Sequence, residues 1–213
     1  MSKQFAAVIV VVILGLFGLF ALAKKDKQGT GTNSTGQVTS HTVGAGNKGV
    51  TLIEYGDLQC PACKSYFPIV NQIKAEYGDD ITFQFRHFPL NQIHPHAFQA
   101  ARAAEAAGKQ GKFFEMHDLM YENQDSWSNL SEVTTVFESY AQQLGLDLEK
   151  FKADVASAEV AADINADVKA GQEIGANSTP TFVINGRKIE KNPTTFESFK
   201  ELIDAEIAKA SSG

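Results

Sequence analysis

The chain alternates between short apolar runs, which are typical of buried strands, and longer segments with helical spacing. Residues 50–56 form a short β-rich run, and residues 81–88 alternate between apolar and polar positions. Between them, apolar side chains recur at helical intervals over residues 66–77. Because a β-α-β unit normally makes a right-handed crossover, this region predicts two parallel strands joined by a helix.

A long helical segment then interrupts the β pattern. Residues 94 to about 175 carry helical spacing almost throughout. The β pattern returns at residues 181–184, where Asn185-Gly186 indicates a two-residue hairpin turn before a return strand over residues 187–190. The helical segment therefore looks like an insertion between two halves of one small sheet.

The last element is predicted to be a helix. Thr194 and Glu197 have the spacing of a capping box at its start, and apolar residues follow at helical intervals up to residue 207. A further short strand is predicted near residues 38–43. We therefore expect an α/β fold, with a mixed sheet flanked by helices and an inserted all-helical subdomain.

The region before this body contains a long apolar stretch. Residues 5–23 are nineteen consecutive residues without a charged side chain, which is enough to cross a bilayer. Two interpretations are open. Ala21 and Ala23 have the small-x-small spacing of a signal-peptidase site, so one interpretation is a signal peptide that is removed. Without cleavage the stretch would remain as a membrane anchor with the body outside the cytoplasm. The lysines that follow it oppose this orientation, because positive charges favour the cytoplasmic side. Both interpretations predict an exported body, either anchored to the cell membrane or secreted.

These patterns divide the chain into six segments. The composition of residues 28–37, rich in Gly, Thr and Ser, is that of a linker. The predicted order is a membrane anchor or signal peptide (1–27), the linker (28–37), the first part of the core (38–92), the helical insertion (93–176), the second part of the core (177–209) and a tail (210–213).

Charge and cysteine content narrow the function. Residues 1–49 carry a formal charge of +4, whereas residues 50–213 carry −10. A body of that sign binds a phosphate backbone poorly, so no nucleic-acid partner is expected. The two cysteines of the chain, Cys60 and Cys63, cannot build a disulfide framework or a four-cysteine zinc site.

A pair of cysteines separated by two residues has three possible uses. A metal site needs two more ligands, and His94 and His96 are distant in sequence, while a proline between the cysteines suits a zinc site poorly. A structural disulfide would close a very short loop and contribute only about 2 kcal/mol. The third use is a redox pair, which needs neither metal nor organic cofactor.

Local structure favours the redox interpretation. Pro61 suits the first turn of the helix that follows, so Cys60 is expected at its N-terminus. Unpaired N–H groups and the positive end of the helix dipole lower the pKa of a thiol placed there. We therefore assign Cys60 as the thiol that substrates contact and Cys63 as the buried resolving thiol.

The motifs together resemble a known family. Cys60-Pro-Ala-Cys63 after a strand, the helical insertion, and the late run Ser178-Thr-Pro-Thr-Phe182 resemble the DsbA-like thioredoxin-fold thiol oxidases, in their membrane-anchored or secreted, BdbD-like branch. The stretches over residues 85–90 and 103–117 agree with that branch, and the resemblance covers residues 38–209. It implies a thioredoxin fold.

The resemblance also implies roles for residues outside the cysteine pair. Pro180, after Thr179, matches the cis-proline that faces the disulfide, and a substrate strand would pair with the Thr179 backbone. Glu54 matches a buried acid that relays a proton to or from Cys63. The plainer alternatives are an ordinary loop proline and an exposed strand glutamate.

One position departs from the strongest oxidases of the family. Pro61 and Ala62 would also lie against the substrate, but those oxidases carry Pro-His at the two positions, and Ala62 supplies no positive charge. The resemblance therefore does not by itself set the oxidising strength of the pair.

The function that these observations predict is an extracytoplasmic thiol:disulfide oxidoreductase. It would introduce disulfides into exported proteins with reduced cysteines, and a quinone-linked membrane oxidase would reoxidise it, as the resemblance implies. Two alternatives remain: a reductase or isomerase of the same fold, and a tethered, non-enzymatic chaperone that binds peptides beside Pro180.

Overall fold

A computed structural model describes residues 36–211. The predicted membrane segment with its cleavage site, most of the linker, and residues 212–213 lie outside the described residues. Between residues 36 and 211, no helix is both long and apolar enough to cross a bilayer.

The described residues contain one mixed sheet of five strands. β2 and β3 are parallel, whereas β1 pairs antiparallel with β3, β4 with β2, and β5 with β4. The spatial order is β1-β3-β2-β4-β5. The strands are β1 (His41–Val43), β2 (Val50–Gly56), β3 (Ile81–His87), β4 (Thr181–Ile184) and β5 (Arg187–Lys188).

Helices flank the sheet and fill the insertion. The helix α1 connects β2 to β3, six helices lie between β3 and β4, and α8 ends the described chain. Their bounds are α1 (Pro61–Tyr77), α2 (Ala97–Gly108), α3 (Phe113–Glu122), α4 (Gln124–Trp127), α5 (Thr134–Gln143), α6 (Leu148–Ala156), α7 (Ala158–Glu173) and α8 (Phe196–Ser211). The predicted fold, a thioredoxin-like mixed sheet with an inserted helical block, is confirmed.

Each face of the sheet packs on its own layer. On one face, the alternating side chains of β2, β3 and β4 form a single apolar core with α1, α8 and the insertion. On the other face, Tyr55 and Val183 pack with Val168 of α7. A side chain at Gly171 of α7 would collide with the Phe88 ring, so glycine there lets α7 lie close to the sheet.

The β-α-β unit forms as predicted, with ends set by local residues. Pro61 is the first residue of α1, where its missing N–H removes no helical hydrogen bond. Gly78 follows Tyr77 with φ +49°, a conformation that favours glycine, and its N–H donates to the Lys74 carbonyl. This places Cys60 at the N-cap of α1, after the short loop that follows β2.

The predicted capping box of the last helix is wrong. The N–H of Ser198 donates to the Thr195 hydroxyl at 3.2 Å, so Thr195 is the cap instead of Thr194. Glu197 consequently lies in the first turn, too early to reach back to the cap. The two edge strands are also shorter than predicted. β1 begins at His41 instead of near residue 38, and β5 ends at Lys188 instead of residue 190.

Candidate active site

The two cysteines occupy different environments at the start of α1. Cys60, at the N-cap, keeps 6% of its surface exposed, whereas Cys63 is completely buried one turn into the helix. Both are free thiols in this structure. Only the Cys60 sulfur can therefore meet a macromolecular substrate.

The Cys60 thiol is strongly acidic. A hydrogen bond from the Cys63 thiol is the main cause that lowers the pKa of Cys60 to about 5. Burial opposes this change, but Thr179 and the backbone N–H groups of Ala62 and Cys63 lower the pKa further. The backbone of Ala62 thus stabilises the thiolate although its side chain carries no charge.

The late proline loop lies against the cysteine pair. The Thr179–Pro180 peptide bond is cis. The Thr179 carbonyl oxygen lies 3.6 Å from the Cys60 sulfur, and the Asn192 side chain donates to the Pro180 carbonyl at 2.8 Å. The structure therefore brings this loop and Cys60 together, as the family resemblance implied.

Cys63 and Glu54 form the buried side of the site. Burial raises the pKa of Cys63 well above its ordinary value, so Cys63 is a neutral thiol at pH 7. Glu54 lies on β2 with 3% of its surface exposed, and burial raises its pKa to about 8, with Lys74 opposing the change. Glu54 is thus a buried acid that holds its proton at neutral pH, and it is electrostatically coupled to both cysteines. The alternative, an exposed strand glutamate, is excluded.

A glycine keeps space beside this acid. A Cβ at Gly56, the last residue of β2, would lie 2.4 Å from the Phe85 ring and 3.3 Å from a Glu54 carboxylate oxygen. Any other residue at this position would push the ring or displace the carboxyl group.

Asp57 organises the loop between β2 and Cys60. One carboxylate oxygen accepts from the Gln59 N–H at 2.8 Å, and the other accepts from the Leu90 N–H and lies 2.6 Å from His94 Nδ1. The Asp57 N–H points at the Cys63 sulfur at 3.5 Å. Asp57 is therefore a turn residue, and its backbone also presents a donor to the resolving cysteine.

Side chains from the helical insertion hydrogen-bond the loop between β2 and α1. The Tyr121 hydroxyl donates to the Asp57 carbonyl at 3.3 Å, and the Gln124 side chain donates to the carbonyls of Leu58 and Cys60. The Gln59 side chain donates in turn to the Ser128 carbonyl. Sequence reasoning missed Tyr121 and Gln124, because a helical pattern shows that they lie on helices but not which loop they reach.

A polar groove of about 610 Å³ opens beside Pro61. Its rim carries the exposed apolar side chains of Ile93 and Leu130. The two histidines considered as metal ligands also line it, but His94 pairs with Asp57, and His96 Nε2 donates to the Leu130 carbonyl. The structure does not bring these histidines together with the cysteines as a ligand set, and the described residues contain no cluster of three or more metal-ligating side chains.

A thioredoxin-like sheet, an inserted helical subdomain and a Cys-Pro-Ala-Cys helix start define the class of thioredoxin-fold oxidoreductases. The family model described as thioredoxin matches residues 36–205. The chain therefore belongs to the thioredoxin family.

Solved structures agree with this class. A thioredoxin-like oxidoreductase from Silicibacter pomeroyi DSS-3 is 26% identical with a TM-score of 0.64, and the match covers 78% of this chain and 91% of that one. Oxidised BdbD from Bacillus subtilis is 23% identical with a TM-score of 0.70, and the match covers 82% of this chain and 97% of that one. The second comparison shows a shared fold.

A sequence relative carries a different name. Na(+)/H(+) antiporter NhaA 1 from Mycobacterium sp. (strain KMS) is 36% identical over 169 residues, which is 78% of this chain but 26% of the relative. The chain thus spans about a quarter of the length of the relatives of this kind that it matches. Their antiporter name describes those longer proteins and is not transferred to this chain.

Proposed function

We propose that the protein is an extracytoplasmic thiol:disulfide oxidase that introduces disulfides into exported proteins through Cys60 and Cys63. The main support is the lowered pKa of Cys60, to about 5, beside a neutral, buried Cys63. A stabilised thiolate favours the reduced pair, and a disulfide whose reduced form is stabilised is a strong oxidant.

The reaction is two successive thiol–disulfide exchanges. A substrate thiolate attacks the Cys60 sulfur of the disulfide, the S–S bond breaks, and its electron pair leaves on Cys63. Cys63 takes a proton, for which Glu54 is the nearby donor. The second thiolate of the substrate then attacks the substrate sulfur that is bonded to Cys60. The mixed disulfide breaks, and Cys60 leaves as a thiolate. The substrate leaves oxidised, and the enzyme holds two more electrons.

Substrate binding involves the backbone around the pair. We place the substrate against Pro61, Ala62, Thr179 and Pro180, because the Thr179 carbonyl lies beside the Cys60 sulfur. The polar groove next to Pro61 continues this surface toward the insertion. A chain extended through both would be held by its backbone, which suits substrates of varied sequence.

Turnover requires a partner that removes two electrons. By resemblance to the DsbA-like family, we propose a quinone-linked membrane oxidase for this step. Residues 5–23 would hold the protein at the membrane, or direct its secretion if they are cleaved after Ala23. Both routes place the catalytic domain outside the cytoplasm, where disulfides persist.

The reduction potential of the Cys60–Cys63 pair tests the proposed direction. Equilibration with glutathione buffers should give a reduction potential of about −120 mV, at the strongly oxidising end of the range for thiol–disulfide oxidoreductases. A value close to about −270 mV would mean that the pair removes disulfides, and the oxidase assignment would be wrong.

Two cysteine variants test the proposed roles. Cys60→Ser should abolish oxidation of a dithiol peptide, because the attacked sulfur is lost. Cys63→Ser leaves Cys60 as a lone thiol that cannot form the disulfide, so it should also fail to oxidise the peptide. With oxidised glutathione it should instead accumulate a mixed disulfide: the Cys60 thiolate attacks one glutathione sulfur, the other glutathione leaves as a thiolate, and no internal thiol resolves the product. Full activity in Cys60→Ser would rule out the mechanism.

A further inference from the structure

Tyr121 reaches from the helical insertion into the buried side of the cysteine pair. Tyr121 keeps 1% of its surface exposed, and its ring packs against Phe67 and edge-on against His117. These contacts fix the ring, so the position of the hydroxyl is set by the packing between α3 and α1.

The hydroxyl points at the groups that surround Cys63. It donates to the Asp57 carbonyl at 3.3 Å, and the N–H of the same Asp57 lies 3.5 Å from the Cys63 sulfur. Tyr121 is also electrostatically coupled to Cys63 and to Glu54. Burial, followed by these neighbours, raises the pKa of Tyr121 well above its ordinary value, so the hydroxyl keeps its proton and is available as a donor.

The opening of the disulfide produces a buried negative charge that a hydrogen-bond donor would stabilise. When Cys63 leaves, a negative sulfur forms at a position that water does not reach. A buried charge without hydrogen-bond donors is costly, and a donor that already faces the site stabilises the charge as it develops. The Asp57 N–H already faces this sulfur, and the Tyr121 hydroxyl donates to the carbonyl of the same residue.

We propose that Tyr121 is a further catalytic residue, whose hydroxyl turns from the Asp57 carbonyl to the Cys63 sulfur as the disulfide opens. This inference rests on the proposed oxidase function. The substrate sulfur bonds to Cys60, the S–S electron pair moves onto Cys63, and the proton that neutralises Cys63 comes from Glu54. Tyr121 donates a hydrogen bond throughout and neither gains nor loses a proton.

Tyr121→Phe tests the inference, because it removes the hydroxyl and keeps the ring. The rate at which reduced glutathione opens the disulfide should fall about tenfold or more, as expected for one hydrogen bond to a charged group. Alkylation of Cys60 in the reduced enzyme by iodoacetamide should stay within twofold of wild type, because that reaction leaves Cys63 untouched. A merely structural defect would change both rates.

Tyr77→Phe provides a matched control. Its hydroxyl donates to Asp204 and the Lys200 carbonyl between α1 and α8, and its pKa is raised by burial, Asp204 and Glu76 instead of by a cysteine. This variant should lose some stability and keep the wild-type opening rate. In a variant with 3-fluorotyrosine, a stronger donor, in place of Tyr121, the disulfide should open at least as fast as in wild type.

The outcomes separate this inference from the proposed function. If the wild-type disulfide does not react with glutathione, the oxidoreductase function itself fails, and the role of Tyr121 with it. If wild type reacts and Tyr121→Phe opens within twofold of it, or if both rates of the variant fall equally, only the role of Tyr121 is overturned.

Discussion

Cys60 and Cys63 are chemically identical side chains whose proton affinities are driven apart by their positions. Cys60 receives hydrogen bonds from Cys63 and from the first N–H groups of α1, which lower its pKa to about 5. Cys63 lies one turn deeper, and burial raises its pKa instead. The result is one thiolate that substrates reach and one neutral thiol that they do not.

Glu54→Gln tests the buried acid at the residue scale. Because burial raises the pKa of Glu54 from 4.5 to about 8, the folded state keeps a proton that the unfolded chain releases, and stability falls as pH rises from 4.5 to 8. Glutamine removes this loss. The free energy of unfolding of the oxidised variant should therefore rise above that of wild type across this range, by at most about 1.4 kcal/mol per pH unit.

Urea denaturation at several pH values measures this difference. Glu173→Gln, on an exposed position of α7, is the matched control and should follow the wild-type pH dependence because water solvates its side chain. Parallel curves for Glu54→Gln and wild type would show that the acid is not buried with its proton. The same variant should also slow disulfide opening if Glu54 supplies the proton.

Short motifs identify some of these residues from sequence, and packing hides the others. Cys60 and Pro180 belong to the local runs that carry the family resemblance, and that resemblance implied their proximity. Tyr121 and Gln124 reach the active-site loop across more than sixty residues of sequence. Helical periodicity fixes the face of a helix, but it carries no information on which carbonyl a side chain across the molecule contacts.

At the scale of elements, the edge strand β1 is held by a buried cluster of hydrogen bonds around one glutamate. A single carboxylate oxygen of Glu105, on α2, lies 2.7 Å from His41 of β1 and 2.9 Å from His87 of β3. Burial alone would raise the pKa of Glu105, but the hydrogen bonds from both histidines outweigh it and lower the pKa to about 2. The His41 ring also stacks on Phe113 at 3.5 Å.

Glu105→Gln should destabilise the protein by about 2 kcal/mol at pH 7, because it removes hydrogen bonds between charged and buried groups. A lowered pKa contributes stability above the ordinary value of 4.5, and this contribution is lost as pH falls toward about 2. The difference between variant and wild type in urea denaturation should therefore shrink over that acidic range.

Glu115→Gln is the control for this experiment. Its partner Lys112 lies 2.7 Å away in a largely exposed ion pair, which contributes less than about 1 kcal/mol. If Glu105→Gln cost no more than Glu115→Gln, the buried cluster would not be what holds β1.

The ends of elements were the least predictable part of the fold. The periods of two and 3.6 residues located β2, α1, β3 and β4 almost to the residue, because these elements are buried on one or both faces. The start of α8 was misplaced by one residue because Thr194 and Thr195 are both good caps. The choice between them depends on how the chain runs from β5 to α8, and sequence spacing does not contain that geometry.

At the scale of the whole molecule, the insertion and the sheet enclose the cysteine pair together. The loop over residues 57–60 is bound on one side by α1 and on the other by donors from α3 and α4. Cys63 is thereby shielded from water while Cys60 remains at the surface. The difference in pKa between the two thiols is thus a property of the assembled domain, and it links the redox state to overall stability.

This linkage predicts how the reduced and oxidised proteins unfold. In the reduced protein the pKa of Cys60 is lowered from 9.0 to about 5, so the thiolate adds stability that is fully present above pH 9 and lost as pH falls to about 5. The oxidised protein lacks that contribution, and its disulfide restrains the unfolded chain by a pH-independent amount of about 2 kcal/mol. The Tm of the reduced form minus that of the oxidised form should therefore increase from pH 5 to pH 9. Calorimetry with and without reductant measures this difference, and Cys60→Ala, which forms no disulfide, should show none at any pH. A difference that stays constant with pH would mean that Cys60 is not a stabilised thiolate, and the basis for an oxidising pair would be lost.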